Sequence, residues 1–261
     1  MKIAVIGAGN MGGATAWGLV KSKFVNAADL MVSNPTPEKL QPFAKAGIQT
    51  FQDNEEAVQN ADVVMVFVKP WLVETVLKGI KQTLDYQRQI LVVVAAGVSS
   101  EKINEWLETD DMELPVLFMA IPNIAISELS SMTFLVPVNA ADEQIESVKE
   151  MFNAMGQTLV VEERLLSAGT TLASCGLAYA MRYVRAAAEG GVELGFRPND
   201  AKNIVLQTVK GAVELLEANG NHPEAEIDKV TTPGGVTIRG LNEMEHAGFT
   251  SAVIRGLKAG V

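Results

Sequence analysis

Lys2–Ser22, KIAVIGAGNMGGATAWGLVKS, decides the fold. Lys2–Ile6 is a short run, apolar after its lysine, that ends at a glycine, the pattern of a strand buried in a parallel sheet. A helical pattern follows from Asn10 to about Lys21. Between them Gly7, Gly9 and Gly12 stand in the spacing G-x-G-x-x-G. Gly7 permits a tight turn, Gly9 lets the backbone approach a pyrophosphate, and Gly12 lets the helix pack on the strand. The helix N-terminus, through Asn10 and Met11, offers free N–H groups and the positive end of its dipole to an anion. The spacing alone is weak and would also serve a tight turn without a ligand. Placed after a strand and ahead of a helix, it reads as a dinucleotide site.

Outward from this unit the alternation repeats. DLMVSN (Asp29–Asn34), ADVVMVFV (Ala61–Val68) and QILVVVAA (Gln89–Ala96) read as further strands. Helical stretches follow them: one from Pro37 towards Gly47, one near Trp71–Gln82 and one over Ser100–Leu107. VLFMAI and MTFLVPV continue the series, and QTLVVE closes it. Strands alternating with helices imply a parallel, doubly wound sheet whose ligand loops lie at the strand C-termini. After about Glu162 the strand signal stops, and Arg164–Leu194 is helical and rich in small residues. A further helix, introduced by RPND, runs to about Asn219. The expected fold is therefore α/β: a Rossmann-like doubly wound sheet over residues 1–161, then an all-α dimerisation and substrate-binding domain over 162–261. The first helix of that second part is apolar on more than one side, which calls for partners all round; a second subunit is the economical source.

Composition limits the function classes. The 261 residues are 48% hydrophobic and 20% charged, a globular balance with ample length for a core. A net charge of −10 repels phosphate backbones, so nucleic acid is not an expected partner. Cys175 is the one cysteine, which rules out an internal disulfide and fits a reducing compartment. With only His222 and His246 beside it, no Cys/His metal cluster is expected. The densest apolar run, ILVVVAAGV, is far too short to span a bilayer, and no secretory leader is visible. The expectation is a cytoplasmic protein that neither spans nor docks on a membrane.

The second strand ends in SNPTPEK, with no acid to hold a ribose diol; Asp29 is at the wrong end. Ser33, Asn34 and Thr36 can donate to a 2′-phosphate, and Lys39 is within a turn of them, whereas Glu38 opposes one. This favours NADP(H), with NAD(H) as the alternative; an ordinary capped helix start would use the same residues. Three other loops lie at the same edge, carrying Asn54, then Val68, Lys69 and Pro70, then Ala95, Ala96 and Gly97. Their small or kinked residues let a flat ring lie close to backbone.

A second glycine cluster stands late in the chain, in TTPGGVTIRGLNEMEHAGF (Thr231–Phe249). Backbone N–H groups ahead of a helix bind carboxylates, and Thr237 falls in the first helical turn. A turn followed by a helix capped by Thr231 or Thr232 explains the run equally well on physics alone.

This run resembles the C-terminal signature of the pyrroline-5-carboxylate reductase family, and GAGNMG, DNEEAV, VKP and GLAY fall in that family's order and spacing. The resemblance spans essentially the whole chain; the C-terminal signature is specific, the glycine fingerprint widely shared. It implies reduction of a cyclic imine carboxylate, 1-pyrroline-5-carboxylate, to L-proline by NAD(P)H. It further implies that Thr237 hydrogen-bonds the ring nitrogen and that Thr232, Gly234, Gly235 and Val236 cradle the carboxylate. Asn54, Val68, Lys69, Pro70, Ala95 and Ala96 would be cofactor contacts. Homodimers formed through the helical domain, joined in some members into decamers, are implied, with the cleft completed by a partner subunit. Five positions depart from the family pattern: Met119 stands for an arginine, Ile124–Ala125 for Thr-Pro, and Cys175 and Leu177 for serine and proline. They leave open a related imine as substrate, or cofactor binding without turnover. A β-hydroxyacid dehydrogenase of the same layout is the third reading, against which stands the lack of a lysine in Arg164–Leu194.

Overall fold

The computed structural model describes all residues, Met1–Val261, which divide into two compact units, Met1–Ser174 and Cys175–Val261. In the first unit, β1 (Ile3–Ile6), β2 (Leu30–Ser33), β3 (Gln49–Phe51), β4 (Val63–Val66), β5 (Ile90–Val93), β6 (Val116–Ile121), β7 (Ser131–Val138) and β8 (Gly156–Val160) form a single sheet. Their order is β3-β2-β1-β4-β5-β6-β7-β8. The order reverses beside β1, which pairs in parallel with both β2 and β4. That is the switch point at which ligands bind in open α/β sheets.

Consecutive strand residues feed opposite faces, and both faces are covered. Ile3 and Val5 of β1 and Val63 and Met65 of β4 enter one core cluster, which takes in Ala16 and Leu19 of α1 (Asn10–Lys21) and Leu40 and Phe43 of α2 (Pro37–Lys45). Ala4, Ile6, Val64 and Val66 enter the other, with Ala57 and Val58 of α3 (Asn54–Val58), Leu77 and Ile80 of α4 (Val73–Ile80) and Ile103 and Leu107 of α5 (Ser100–Leu107). α6 (Asp142–Asn153) returns to the first face through Val148, Met151 and Phe152. Two-sided burial is why these strands read as unbroken apolar runs.

Two features differ from the expected all-parallel alternation. β7 runs antiparallel to β6, because the connection between them holds only a 3₁₀ turn over Ile124–Glu128, too short for a crossover helix. β3 was not expected; it is a three-residue edge strand, QTF, with no apolar run to announce it.

α7 (Leu166–Gly169) continues into a π-helical turn, Thr170–Cys175. The last strand ends at Val160, just ahead of the expected boundary, yet compactness divides further along. Leu166 is buried in the second cluster, Gly169 lies against the Phe134 ring, and Ser174 Oγ donates to the Pro122 carbonyl at 3.2 Å. These residues belong to the sheet unit.

The second unit holds α8 (Gly176–Glu193), α9 (Pro198–Asn219), α10 (Pro223–Lys229), α11 (Val236–His246) and α12 (Phe249–Lys258). α8 and α9 pair closely where Gly191 faces Ala201. Ala201 is the only buried residue from Cys175 to Val261. Met181, Leu206, Leu215 and Ile254 are all exposed. No helix of the chain is long and apolar enough to cross a membrane.

Candidate active site

The glycine loop is built at the switch point. Gly7 donates its N–H to Ser33 O at 2.9 Å and has φ +101°, a left-handed conformation that favours glycine. A side chain there would also run into the Phe67 carbonyl, and Val68 Cγ1 would lie 3.4 Å from its Cβ. At Gly12 a Cβ would overlap the Gly7 carbonyl and stand 3.0 Å from Phe67 Cβ, so α1 could not seat on β1. Gly9 is different in kind: its φ is −77°, and a Cβ built on it meets nothing within 4 Å. The open space lies at the start of α1, where Gly9 is the N-cap, no side chain caps the helix and no acid occupies the first turn. The first intrahelical bond runs from Gly13 N to Gly9 O (2.8 Å), which leaves the N–H groups of Asn10, Met11 and Gly12 for an outside acceptor. Three free donors, a positive dipole end and room where a side chain would be fit a pyrophosphate.

Neighbouring helices at this edge are treated otherwise. Asp53 Oδ1 accepts from Glu55 N at 2.9 Å and caps α3. Ser99 caps α5, and Glu163 accepts from Ser100 N at 2.9 Å and from the Ser100 hydroxyl, filling that helix start from within.

At the end of β2, Ser33 is 0% exposed and its hydroxyl donates to Asn54 Oδ1 at 2.7 Å. Ser33 therefore orients Asn54 rather than offering a proton to a 2′-phosphate. Asn34 Oδ1 accepts from Thr36 N at 3.0 Å, which leaves its amide nitrogen, the Thr36 hydroxyl and the exposed Lys39 as the donors of this loop. No carboxylate ends β2; Asp29 lies in the 3₁₀ turn at its other end. The loop after β4 is stiff: Pro70–Leu72 is a 3₁₀ turn closed by Leu72 N donating to Lys69 O at 2.8 Å. The loop after β5 presents Ala95, Ala96 and Gly97 (φ +79°).

The second glycine cluster, in the helical unit, repeats the device. Gly235 N donates to Thr232 O at 2.9 Å across Pro233 and Gly234, whose φ is +68°: proline, then a left-handed glycine, as a type II turn requires. A Cβ on Gly235 would overlap the Thr232 hydroxyl and stand 3.0 Å from its carbonyl. Gly235 itself is the N-cap of α11, without a side-chain cap and without an acid in the first turn. Neither threonine caps the helix; Thr231 Oγ1 donates back to Ile227 O at 2.8 Å, finishing α10. The N–H groups of Val236, Thr237 and Ile238 are left for an outside acceptor, with the Thr237 hydroxyl on the second helical residue. α10 is braced by Glu226, whose carboxyl lies below the usual range because Lys229 and Asn221 hydrogen-bond it, with Asn219 adding a third contact.

The structure thus brings Gly7, Gly9, Asn10, Met11, Gly12, Ser33, Asn54 and Val68 to one edge of the sheet unit, and Thr232, Gly234, Gly235, Val236 and Thr237 to one turn of the helical unit. Sequence reasoning missed Phe67, whose carbonyl shapes the glycine loop, and the Glu163–Ser100 link; a pairing 63 residues apart leaves no local signal. Met119, one of the departures, is buried among the core residues of the second cluster, so it repacks the interior. His222 caps α10 by accepting from Glu224 N at 3.3 Å, and His246 is exposed beside Glu243. No three His, Cys, Asp or Glu side chains converge as a metal site requires.

Comparison with known proteins gives two family matches. Residues 163–261 match the family described as pyrroline-5-carboxylate reductase dimerisation, and residues 2–97 match NADP oxidoreductase, coenzyme F420-dependent. Pyrroline-5-carboxylate reductase 1 of Dictyostelium discoideum is 40% identical over 98% of this chain, which spans 48% of that protein. Pyrroline-5-carboxylate reductase 2 of the same organism is 36% identical, covering 98% of this chain and 89% of its own length. In structure, the Plasmodium falciparum pyrroline carboxylate reductase with NADP bound superposes with a TM-score of 0.89 over 100% of this chain and 95% of that one, at 24% identity.

Proposed function

The chain belongs to the pyrroline-5-carboxylate reductase family, and we propose that it reduces 1-pyrroline-5-carboxylate to L-proline with NADP(H), NAD(H) serving less well. The observation that carries this is the α11 start: three free N–H groups behind the Thr232–Gly235 turn, and a hydroxyl on the second helical residue. A carboxylate on the N–H groups and a ring nitrogen on Thr237 would fix an imino acid in one orientation. The imine nitrogen is basic and arrives protonated, so its C=N carbon is already electrophilic and no side chain need act as acid. What the protein supplies is positioning.

The residues fit a dinucleotide as well. Asn10, Met11 and Gly12 would hold the pyrophosphate, and Asn54, fixed by Ser33, would hold a ribose together with the Val68–Pro70 and Ala95–Ala96 backbone. Asn34, Thr36 and Lys39, with no acid ending β2, favour a 2′-phosphate. When bound, the cofactor supplies the hydride.

A second copy of the chain would cover the helical unit. With Ala201 its only buried residue, Cys175–Val261 has no core of its own, and the family description of this segment supports a homodimer formed through it. Dimers would assemble further, up to a decamer, in the cytoplasm.

The test is consumption of NADPH with racemic pyrroline-5-carboxylate, followed by nicotinamide absorbance and repeated with NADH. Turnover, faster with NADPH, is expected. A protein that binds NADPH but turns over no pyrroline-5-carboxylate would refute the assignment.

A further inference from the structure

We propose that Trp71 is a cofactor-binding residue, its indole stacking on a planar ring of the bound dinucleotide; this rests on the dinucleotide reading above. The chain has three tryptophans, and two are placed conventionally. Trp17 stacks on Phe43 with ring centroids 4.9 Å apart, and Trp106 packs against the second core cluster. Trp71 is 75% exposed. Its large apolar face would ordinarily be buried or partnered.

Its place on the chain explains the exception. Trp71 lies in the loop after β4, the strand beside β1 at the switch point. The same loop makes one wall of the glycine turn: a Cβ on Gly7 would overlap the Phe67 carbonyl and stand 3.4 Å from Val68 Cγ1. The loop is rigid where it carries the tryptophan. Proline at position 70 fixes φ, and the Leu72 N–H bond to Lys69 O, 2.8 Å, closes the 3₁₀ turn around it. Indole is thus presented from a fixed base, with little order left to lose on binding. Beside it in the sheet, where β5 pairs with β4, the loop after β5 offers only Ala95, Ala96 and Gly97, and a Cβ on Gly97 would meet nothing within 4 Å. A flat ring entering this edge finds small residues on the β5 side. The large flat side chain left exposed on the loops after β4 and β5 is Trp71.

Two rings of the dinucleotide share this chemistry, adenine and nicotinamide, and the experiment separates them. Trp71→Ala and Trp71→Phe are compared with the unaltered protein by calorimetric titration with NADPH and with 2′,5′-ADP, which lacks nicotinamide. Thermal unfolding and molecular mass are recorded for each. Base-on-aromatic stacking leads us to expect a Kd for NADPH raised about 5- to 150-fold in Trp71→Ala and largely restored in Trp71→Phe. Loss shared by 2′,5′-ADP assigns adenine; loss confined to NADPH assigns nicotinamide. Unchanged Kd values in Trp71→Ala would overturn the proposal and leave the cofactor reading intact, as would a loss in both variants that tracks a lower mass or melting temperature. Failure of the unaltered protein to bind NADPH would instead overturn the cofactor reading and this proposal with it.

Discussion

Alanine at Gly9 and alanine at Gly12 should separate ligand binding from packing within the same turn. At Gly9 the backbone sits at φ −77°, ψ −169°, open to any residue, and the added methyl meets nothing within 4 Å. Two small terms oppose each other in Gly9→Ala. Fewer unfolded conformations stabilise it by about 0.4–1 kcal/mol, and alanine is a poorer N-cap than glycine by a similar amount. The net change in folding stability should stay within about 1 kcal/mol. The methyl, however, takes the space in front of the Asn10, Met11 and Gly12 N–H groups. Displacing one charge-assisted hydrogen bond costs about 1.5–3 kcal/mol, so the Kd for NADPH should rise about 10- to 150-fold. In Gly12→Ala the methyl overlaps the Gly7 carbonyl and stands 3.0 Å from Phe67 Cβ, so α1 must move off β1. That overpacking should cost about 1–3 kcal/mol or more and lower the melting temperature by several degrees. Thermal unfolding without ligand and titration with NADPH measure both quantities on both variants. NADPH binding by Gly9→Ala as tight as that of the unaltered protein would refute the pyrophosphate reading. A Gly9→Ala protein that melts as early as Gly12→Ala would show that the space in front of α1 is not open.

Thr237→Ala should lower kcat/KM for the imine about 10- to 100-fold through loss of one hydrogen bond to a charged group, with NADPH affinity unchanged; an equal loss of both would remove Thr237 from the substrate. Gly235→Ala should open the turn, because its Cβ overlaps the Thr232 side chain, and raise KM for the substrate, so an unaltered KM would argue against a carboxylate cradle there. Asn34→Asp keeps the acceptor that binds Thr36 N yet adds a charge facing any 2′-phosphate, and should shift preference from NADPH towards NADH; an unshifted ratio of rates would place 2′-phosphate recognition elsewhere. Burial raises the Tyr86 phenol to about 12 from its ordinary 10.0, and its hydroxyl donates to Leu107 O at 2.7 Å. The fold favours the neutral phenol, so this contribution is complete below pH about 10 and is lost as pH rises through about 12. Tyr86→Phe should cost about 1 kcal/mol at neutral pH and flatten the alkaline part of the stability curve, whereas curves of identical shape would refute the assignment.

The sheet was legible because burial on both faces writes strands as apolar runs and glycines write the turns. Helix ends were legible where a local rule acts: Asn10–Lys21 and Ser100–Leu107 appear with the expected bounds. β3 was hidden, since Gln49–Phe51 gains its place from pairing with β2 and not from its own hydropathy. The reversal of β7 was hidden in a connection length, a quantity that apolar periodicity does not carry. Within the site, residue types pointed to Ser33 as a donor, and only the geometry shows its proton already given to Asn54. Glu163 gave no sign at all, because its partner Ser100 is distant in sequence.

Two helix starts, one in each unit, use the same physical device, and the contrast with other helices gives it meaning. A helix start is four N–H groups that must find acceptors. At α3 and α5 the chain provides them itself, through Asp53, Ser99 and Glu163. At α1 and α11 it places an extended glycine at the N-cap (φ −77° and −69°), keeps acids out of the first turn and provides no side-chain cap; α12 also starts uncapped at a glycine, but Gly248 is left-handed at φ +82°. The saving in side chain is also a small stability cost, since a serine or aspartate cap would be worth a few tenths of a kcal/mol more than glycine at each. On the proposed function, the uncapped starts at the switch point and beside a threonine in the helical unit would hold their donors for anions from outside. A pyrophosphate and a carboxylate are the two that the proposed reduction of an imino acid requires, and with both held by backbone that reaction would need no further charged side chain.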